Sequence, residues 1–234
     1  MKPLYMTDSY IREFDATVAE TDGKNIVLNE TAFYPNGGGQ PNDLGTMEAD
    51  SGTYNVVNVF KKDGKVWHEL DREGIAVGDA VKCKIDWERR HRLMRMHTAA
   101  HIIDAVLYKE TGALTTGNQL GVDKSRIDFS LDLLDKEKIQ SYMNEANNII
   151  QSGIDTKIYF LKREEALKIP GIVKLANAMP PNVEELRIFE IPTIDMQADG
   201  GTQVRNTREI GRVVLLSVEN RGKNNRRIYY RIEP

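Results

Sequence analysis

The sequence predicts an α+β protein in which a small N-terminal antiparallel β-barrel is followed by an α+β sandwich domain. Up to about residue 85, short strand-like runs alternate with turn residues. Near Asp86 the hydrophobic period changes from two to about 3.6 residues, which marks the start of a helix. Farther along, helix-like and strand-like segments alternate. These three observations place the predicted domains at residues 1–87 and 88–234.

The N-terminal domain is predicted from short β-branched runs that end at turn residues. Predicted strands cover residues 11–19, 25–28, 45–47, 53–61, 65–69 and 80–85. The segment Lys62-Asp-Gly-Lys separates two of these runs and is a strong hairpin signal. Several short strands with frequent turns favour a small antiparallel barrel.

The C-terminal domain begins with a predicted helix that Asp86 caps and Gly112 ends. Its apolar stripe consists of Leu93, Met96, Ala100, Ile103 and Leu107. A second helix is predicted over residues 135–151, with Gly153 as its C-terminal cap. Predicted strands cover residues 126–131, 156–161, 187–191, 212–217 and 226–232. Helices on one face of a largely antiparallel sheet give an α+β layer fold.

Composition limits the classes of function. Hydrophobic residues make up 40% and charged residues 29%, values typical of a soluble globular protein. A net charge of −3 argues against DNA or indiscriminate nucleic-acid binding but permits a local basic patch. The single cysteine, Cys83, is expected to be a buried thiol. No apolar stretch reaches a membrane-spanning length of about 18 residues, so a cytoplasmic protein without a membrane partner is expected.

His97 and His101 form the most informative pair in the sequence. At a spacing of four residues, two imidazoles lie on one helix face and can reach one metal ion. Asp104 lies on the same stripe. Thr98 follows the first histidine, so the His-Glu-x-x-His pattern of metalloproteases and its catalytic base are absent. Two ligands do not hold zinc, and a coincidental pair of histidines remains an alternative.

The segment from Asp199 to Gln203, Asp-Gly-Gly-Thr-Gln, is the candidate for the missing ligands. Asp199 and Gln203 both carry side-chain oxygens that could coordinate a metal. A tight turn before a strand explains the two glycines equally well.

A glycine-rich run extends from Thr31 to Gln40 and contains Gly37, Gly38 and Gly39. Successive glycines allow positive φ angles and close approach of a ligand to the backbone. No Gly-Lys-Ser/Thr follows, which excludes a nucleotide P-loop. A wide loop between barrel strands is the alternative, but the polar Thr31 and Gln40 favour a binding surface.

The C-terminal tail is rich in basic and aromatic residues. It contains Arg221, Lys223, Arg226, Arg227, Tyr229, Tyr230 and Arg231. This combination suits phosphate contacts and base stacking, although a solvated hairpin tip is the simpler alternative. A second basic cluster precedes the histidines and consists of Arg89, Arg90, Arg92 and Arg95.

Together, these motifs resemble the stand-alone alanyl-tRNA editing proteins called AlaX, in their medium-length form, over nearly the whole chain. The similar segments are Thr-x-Phe-Tyr-Pro-x-Gly-Gly-Gly-Gln at residues 31–40, His-Thr-Ala-x-His at 97–101, the Gly-Gly-Thr and Glu-Ile-Gly motifs within 200–211, and Gly-Lys-x-x-Arg-Arg at 222–227. Each motif alone is weak, but their order and spacing are specific.

The resemblance implies a zinc-dependent deacylase that acts in trans on alanine-specific tRNA charged with serine, with glycine as a second candidate. It implies catalytic roles for His97, His101, Thr31 and Gln40, with Thr31 as the partner of the serine hydroxyl. Contacts with substrate or tRNA are implied for Gly37, Gly38, Gly39, Gly200, Gly201, Thr202, Lys223, Arg226 and Arg227. The basic cluster at Arg89–Arg95 would add contacts with the acceptor stem.

The resemblance also implies one zinc ion at His97, His101, Asp199 and Gln203, where the family commonly has His, His, Cys and His. Asp199 can coordinate zinc through oxygen, but an amide oxygen is a poor zinc ligand. A weaker or more open site is therefore expected, in which the metal activates water or anchors the substrate. Two other functions stay open: a metal-free tRNA-binding module, and a hydrolase of small amino-acid esters that does not need RNA.

Overall fold

The protein, described by a computed structural model over residues 2–132, 135–173, 176 and 182–234, divides into two compact units. The first unit is Met1–Leu93 and the second is Met94–Pro234. The division falls inside the first long helix, which contributes residues to both units. Among the described residues, no helix has the length and apolar character needed to cross a bilayer.

The first unit is a β-barrel, as the sequence predicts. Its strands are β1 (Lys2–Pro3), β2 (Glu13–Asp22), β3 (Asn25–Leu28), β4 (Glu30–Thr31), β5 (Gly45–Ala49), β6 (Gly52–Lys62), β7 (Lys65–Leu70) and β8 (Ala80–Ile85). Six of them close into an antiparallel barrel in the order β2-β3-β7-β6-β5-β8. The remaining two, β1 and β4, form a short parallel pair.

Alternation of side chains explains the barrel. In β8, Val81, Cys83 and Ile85 are buried while the lysines between them are exposed. Burial and the neighbouring carboxylate of Asp15 raise the pKa of the Cys83 thiol above its usual range. Cys83 is therefore a protonated, unreactive core residue, which confirms the prediction of a buried thiol.

The second unit combines helices with two antiparallel sheets. Its elements are α1 (Trp87–Thr111), β9 (Thr115–Gln119), β10 (Ser125–Phe129), α2 (Lys136–Ser152), β11 (Lys157–Lys162), α3 (Arg163–Ala166), β12 (Glu185–Ile191), β13 (Asp195–Ala198), β14 (Arg212–Asn220) and β15 (Arg226–Glu233), with α1 beginning in the first unit. One sheet has the strand order β14-β15-β10-β9, and the other has the order β11-β12-β13. The predicted α+β fold class is confirmed.

Helix α1 is more deeply buried than an amphipathic helix would be. The predicted apolar stripe is buried, but so are Met94, Ala99, Ile102 and Val106 on other faces. A helix that is apolar on all sides is characteristic of a protein core. The polar side chains in the middle of α1, His97, His101 and Asp104, therefore lie in a buried environment.

Helix α2 follows the sequence prediction closely. The side chain of Asp135 accepts hydrogen bonds from the backbone N–H groups of Glu137 and Lys138, at 3.0 and 3.1 Å. Gly153 ends the helix in the left-handed conformation at φ 73°. Asn147 fixes α2 to β14 because its amide exchanges hydrogen bonds of 2.9 and 2.8 Å with the backbone of Val213.

Among the described strands of the second unit, β9 and β13 escaped the sequence prediction. Both are edge strands with mostly polar sequences, Thr-Thr-Gly-Asn-Gln and Asp-Met-Gln-Ala. Their pairing with neighbouring strands fixes their conformation, whereas their own residue preferences are weak. Both strands carry residues of the candidate site.

Candidate functional site

His97 and His101 lie one above the other on α1. Their rings are stacked, with centroids 5.2 Å apart and an interplanar angle of 26°. Both side chains are buried, with 7% and 8% of their surface exposed. The helical spacing thus produces the paired imidazoles that the sequence predicts.

Asp199, which follows β13 directly, completes a group of three potential ligands. One ligand atom from each of His97, His101 and Asp199 lies within 4.8 Å of the other two. The Nε2 atom of His97 is 3.5 Å from Oδ1 of Asp199. Two imidazole nitrogens and a carboxylate oxygen form a donor set that suits zinc. The two sequence segments that carry the motif therefore meet in the fold.

Gln203 lies beside Asp199 and has partners at both ends of its amide. Its Nε2 donates to Oδ2 of Asp199 at 2.9 Å, and its Oε1 accepts from the hydroxyl of Thr98 at 2.7 Å. The backbone N–H of Gly201 also donates to Oδ2 of Asp199, at 3.0 Å. These bonds hold one oxygen of Asp199 and leave Oδ1 facing His97.

Arg187 provides positive charge next to the same carboxylate. Its Nη1 donates to the backbone oxygen of Asp199 at 2.7 Å and lies 3.5 Å from Oδ2. Of the other residues in the segment, Thr202 is fully buried, Gly201 is buried and Gly200 is exposed. The segment is thus a partly buried turn in which the N–H of Gly201 and the amide of Gln203 both bond to Asp199.

His101 has a second carboxylate on its other side. Its Nδ1 lies 2.9 Å from Oδ2 of Asp195, a residue of β13 whose side chain is fully buried. Gln197 donates to both oxygens of Asp195 and to Oδ2 of Asp104. Sequence reasoning missed Asp195 and Gln197. The alternation of polar residues in Asp-Met-Gln-Ala, just before Asp199, is the signal that could have found them.

Burial and charge set the protonation states of the three ligand residues. Burial lowers the pKa of His97 to about 4, although the Asp199 carboxylate opposes that shift. For Asp199, burial favours the neutral acid, but His97, His101 and Arg187 together hold the pKa of its carboxyl below its usual range. At neutral pH the close contact thus joins a neutral imidazole to a carboxylate, the forms that bind a metal.

His101 behaves differently from its neighbour. Burial lowers its pKa, but the hydrogen bond and charge of Asp195, with the carboxylates of Asp199 and Asp104, raise it overall. A carboxylate on Nδ1 also makes the imidazole more basic toward a metal at Nε2. The two histidines therefore have different electrostatic surroundings despite their adjacency on the helix.

Thr31 lies in the first unit and belongs to a buried chain of hydrogen bonds. His68 donates from Nδ1 to the backbone oxygen of Ile26 at 3.2 Å, because a carbonyl can only accept. Its Nε2 therefore accepts from the Thr31 hydroxyl at 2.8 Å. The same hydroxyl oxygen accepts from the backbone N–H of Phe33 at 3.1 Å. The proton of Thr31 is committed to His68, a residue that the sequence motifs did not single out.

The glycine-rich run forms a tight turn. Gly37 and Gln40 exchange backbone hydrogen bonds of 3.1 and 3.0 Å. Gly38 and Gly39 have φ angles of 60° and 85°, which residues other than glycine rarely adopt. The Tyr34 hydroxyl donates to the backbone oxygen of Gly37 at 2.9 Å. Gln40 itself is fully buried.

Arg90 is not part of a basic surface, and the prediction that it contacts tRNA is wrong. The side chain is fully buried and forms an ion pair with Asp43. Its Nη1 donates to the backbone oxygen of Ser9 at 2.9 Å, and its Nη2 also donates to that of Ala32 at 2.6 Å. Because Asp43 also accepts from the N–H of Tyr34 at 2.6 Å, the ion pair supports the glycine-rich turn.

The remaining arginines of that cluster also have intramolecular contacts. Arg89 donates to the backbone oxygen of Asn42 at 3.2 and 3.1 Å. Arg95 donates to the backbone oxygen of Ile210 at 2.7 Å. Arg89, Arg90 and Arg95 thus direct their guanidinium groups to acceptors within the protein.

The basic tail forms the β14–β15 hairpin. Arg226 is buried, and its guanidinium donates to Asn220 Oδ1 at 2.9 Å and to the backbone oxygens of Gly222 and Asp132. Arg227 forms a bidentate pair with Asp128 at 2.7 and 2.8 Å, which raises the pKa of its guanidinium. Lys223 is exposed at the hairpin tip.

The two tyrosines of the tail face opposite sides of the sheet. Tyr230 is buried and its hydroxyl donates to the backbone oxygen of Met96 at 2.8 Å, so it is a core residue. Tyr229 is half-buried, with Lys124 and Arg227 placed 5.6 and 6.0 Å from its ring centroid. Only Tyr229 of this pair lies among basic side chains on the outer face.

Two family models match the chain. Residues 6–89 match class II (A) tRNA synthetases, and residues 186–229 match the second additional domain of threonyl- and alanyl-tRNA synthetases. The first match covers the barrel and the start of α1. The second covers β12, β13, the Asp199–Gln203 segment and the basic hairpin.

Similar proteins come from several organisms. The alanyl-tRNA editing protein AlaX-M of Saccharolobus solfataricus is 47% identical, and the alignment covers 99% of this chain and 98% of that protein. AlaX-M of Methanosarcina barkeri is 46% identical over 97% of both chains. The alanine–tRNA ligase of Methanobrevibacter smithii is 36% identical over 92% of this chain but only 25% of the ligase.

Proposed function

The chain belongs to the AlaX-M family of alanyl-tRNA editing proteins, and on that premise we propose that it hydrolyses the ester linking serine to a mischarged alanine-specific tRNA. The observation that carries this proposal is the group of His97, His101 and Asp199, whose potential ligand atoms lie within 4.8 Å of one another. Glycine is a second candidate for the amino acid released.

The three residues of this group are the proposed ligands of one zinc ion. The neutral imidazole of His97, the Asp195-bonded imidazole of His101 and the ionised Asp199 support the assignment. Three protein ligands with a fourth position open are typical of catalytic rather than structural zinc sites. When bound, zinc supplies a Lewis acid that polarises the ester carbonyl or acidifies water.

Gln203 is proposed to orient Asp199 and not to bind the metal itself. Its amide oxygen accepts the proton of Thr98 and its amide nitrogen donates to Asp199. An amide oxygen is in any case a weak ligand for zinc. The departure from the family pattern thus leaves a site with two imidazoles and one carboxylate.

The reaction is the addition of water to the ester carbonyl, followed by cleavage of the bond to the terminal ribose oxygen of the tRNA. The products are free serine and deacylated tRNA. The backbone around Gly200, Gly201 and Thr202 and the turn at Gly37, Gly38 and Gly39 are proposed to contact the substrate. Gln40 is proposed to lie near the substrate as well.

Selection of serine is assigned to Thr31. Its hydroxyl proton is committed to His68, and its oxygen accepts one bond from Phe33, which leaves one lone pair. A serine hydroxyl can donate to that lone pair, whereas an alanine side chain cannot. Glycine also lacks the hydroxyl, so its release would depend on small size alone.

Contacts with tRNA phosphates are assigned to Lys223 and Arg227 of the β14–β15 hairpin. Lys223 is exposed, and Arg227 is half-buried beside Asp128. Arg226 is proposed to act indirectly because its guanidinium bonds hold the hairpin tip in shape. Phosphate contacts of this kind should weaken as salt increases.

The decisive test is amino-acid release from Ser-tRNA(Ala), with Ala-tRNA(Ala) as the control substrate and zinc supplied. The proposal expects fast release of serine and little release of alanine. Failure to release either amino acid from folded, metal-supplied protein would instead favour a tRNA-binding module that lacks activity. Equal activity on a free seryl ester, unaffected by tRNA, would favour a small-ester hydrolase.

The variant His97→Ala tests the ligand group directly. A metal ligand contributes at least as much to metal affinity and activity as the groups that hydrogen-bond to it. We therefore expect activity to fall by about 100-fold or more. His91→Ala is the matched control, since His91 lies on the same helix and stacks on Trp87, 5.3 Å between ring centroids. Full activity of His97→Ala would refute the metal-site assignment.

A further inference from the structure

A continuous chain of buried hydrogen bonds leads away from His101. The first bond joins Nδ1 of His101 to Oδ2 of Asp195 at 2.9 Å. Gln197 Nε2 donates to the two oxygens of Asp195 at 3.3 and 3.0 Å, and to Oδ2 of Asp104 at 2.9 Å. The hydroxyl of Thr115 donates to Oδ1 of Asp104 at 2.6 Å. The chain thus links α1 to the two edge strands β13 and β9.

The chemistry of these groups fixes the direction of each bond. Ionised carboxylates only accept hydrogen bonds, so His101 must carry a proton on Nδ1. The amide group that faces Asp195 and Asp104 must be the NH₂ end of Gln197, because its oxygen would repel both carboxylates. The nitrogen of His101 that is not bonded to Asp195 is therefore Nε2, the one available to a metal ion.

Asp195 and Asp199 lie four residues apart but have different surroundings. The potential ligand group in the described part of the chain contains Asp199 and does not contain Asp195. One oxygen of Asp199 faces the imidazole of His97, whereas Asp195 has His101 and Gln197 as partners and a side chain with no exposed surface. The two carboxylates are therefore suited to different roles.

We propose that Asp195 is a positioning residue for the metal ligand His101, and that Gln197, Asp104 and Thr115 hold Asp195 in place. By retaining the proton on Nδ1 and fixing the ring, Asp195 commits Nε2 to the metal. This inference rests on the proposed metal site. Carboxylates in this arrangement typically contribute 10–100-fold to metal affinity or activity.

The alternative is a buried ion pair that serves stability alone. Removing one partner of such a pair destabilises a protein but need not change its affinity for a metal. Zinc affinity therefore separates the two roles, whereas loss of activity does not.

The experiment measures Zn²⁺ affinity by competition with a chromogenic chelator and, separately, the free energy of unfolding. For Asp195→Ala we expect zinc affinity to fall by about 10–100-fold. Asp195→Asn should fall less, because its carboxamide oxygen still accepts from Nδ1. Serine release from Ser-tRNA(Ala) should decline in the same order.

Thr115→Val provides a second variant in case Asp195→Ala does not fold. It removes one donor to Asp104 at nearly constant volume, so we expect a smaller loss of zinc affinity than for Asp195→Ala. The matched control is Asp128→Asn, which alters another carboxylate of the same unit, one paired with Arg126 and Arg227. That control should leave zinc affinity unchanged.

The outcomes distinguish this inference from the proposed function. Wild-type zinc affinity in Asp195→Ala, together with reduced stability, would overturn the positioning role while leaving the metal site intact. If Asp195→Ala does not fold, wild-type affinity in both Asp195→Asn and Thr115→Val would overturn it. Wild-type protein that neither binds zinc nor releases serine would overturn the proposed function and the inference with it.

Discussion

At the scale of single residues, Asp199 and Gln203 set the chemistry of the proposed metal site. A carboxylate is a harder ligand than a thiolate, so Asp199 favours borderline or hard cations. The amide of Gln203 joins Thr98 to that carboxylate through bonds of 2.7 and 2.9 Å. Asp199 is therefore a proposed ligand, and Gln203 supplies the group that orients it.

Thr31 provides a prediction about selectivity. Thr31→Ser keeps the hydroxyl and should retain the preference for serine over alanine, whereas Thr31→Val should lose it. The valine variant also leaves Nε2 of His68 and the backbone N–H of Phe33 without the hydrogen bond to Thr31. We therefore expect it to lose about 1–3 kcal/mol of stability. The measurement compares release from Ser-tRNA(Ala) and Ala-tRNA(Ala), with urea unfolding alongside.

The double variant Thr31→Val/His68→Leu controls for stability. Removing both members of a buried hydrogen bond costs less than removing one, so part of the stability should return while selectivity stays lost. An unchanged serine-to-alanine ratio in Thr31→Val would show that Thr31 does not select the substrate.

His68 provides a prediction about pH. Burial lowers its pKa from 6.5 to about 4 in the folded protein. Between these values the unfolded chain binds a proton that the folded protein does not, so stability declines as pH falls through this window. The expected contribution is about 3 kcal/mol.

Chemical unfolding at pH 7 and pH 4.5 tests this expectation. Because His97 also has a lowered pKa, the quantity compared is the loss of stability in wild type minus the loss in His68→Gln. Equal losses in the two proteins would mean that His68 is not a buried neutral base.

At the scale of elements, the start of α1 and the glycine-rich turn are joined by one buried ion pair. Arg90 of α1 bonds with Asp43, which in turn accepts from the backbone of Tyr34. The turn that contains Gly37, Gly38 and Gly39 is therefore held by a charge from a helix, and not only by its own backbone bonds.

Arg90→Met should destabilise the first unit strongly. The substitution leaves the Asp43 carboxylate buried without its partner, which typically costs about 3–5 kcal/mol. Arg89→Met is the matched control, because the neighbouring Arg89 is only half-buried and bonds to a single backbone oxygen. Urea unfolding is the measurement, and similar effects of the two variants would contradict the assigned role of Arg90.

At the scale of the whole molecule, a net charge of −3 means that tRNA contact has to depend on local basic groups. Many of the arginines predicted to contact tRNA have internal partners instead, including Arg90, Arg95 and Arg226. Lys223 is exposed, and Arg227 is only half-buried although it is paired with Asp128, so these two are the stronger candidates for phosphate contacts.

Lys223→Gln should weaken tRNA binding uniformly and reduce the slope of log affinity against log salt by about 1. Lys138→Gln, on the exposed face of α2, is the control and should leave the slope unchanged. Filter binding at several salt concentrations measures both. An identical slope for Lys223→Gln and wild type would remove Lys223 from the interface.

The sequence alone determined the fold class, most of the strands, both long helices and the pairing of His97 with His101. These features depend on local periodicity, turn residues and caps, which can be recognised in short segments of the sequence. The order of motifs also indicated the family and the meeting of the histidines with Asp199.

Tertiary structure alone decided which polar groups form hydrogen bonds with the proposed ligand residues and with Thr31. Asp195 on β13 faces His101, Gln203 bonds to Asp199, and His68 takes the proton of Thr31. The pairs His101–Asp195 and Thr31–His68 join residues that are distant in sequence, and Asp195 lies on an edge strand with weak preferences of its own. Gln203 is close to Asp199 in sequence, but its amide is also bonded to the distant Thr98. Tertiary structure also decided that Arg90 is buried, because a charged residue in a basic run has no local feature that reveals a partner such as Asp43. Packing between distant segments brings these partners together, and local sequence patterns do not show which segments will meet.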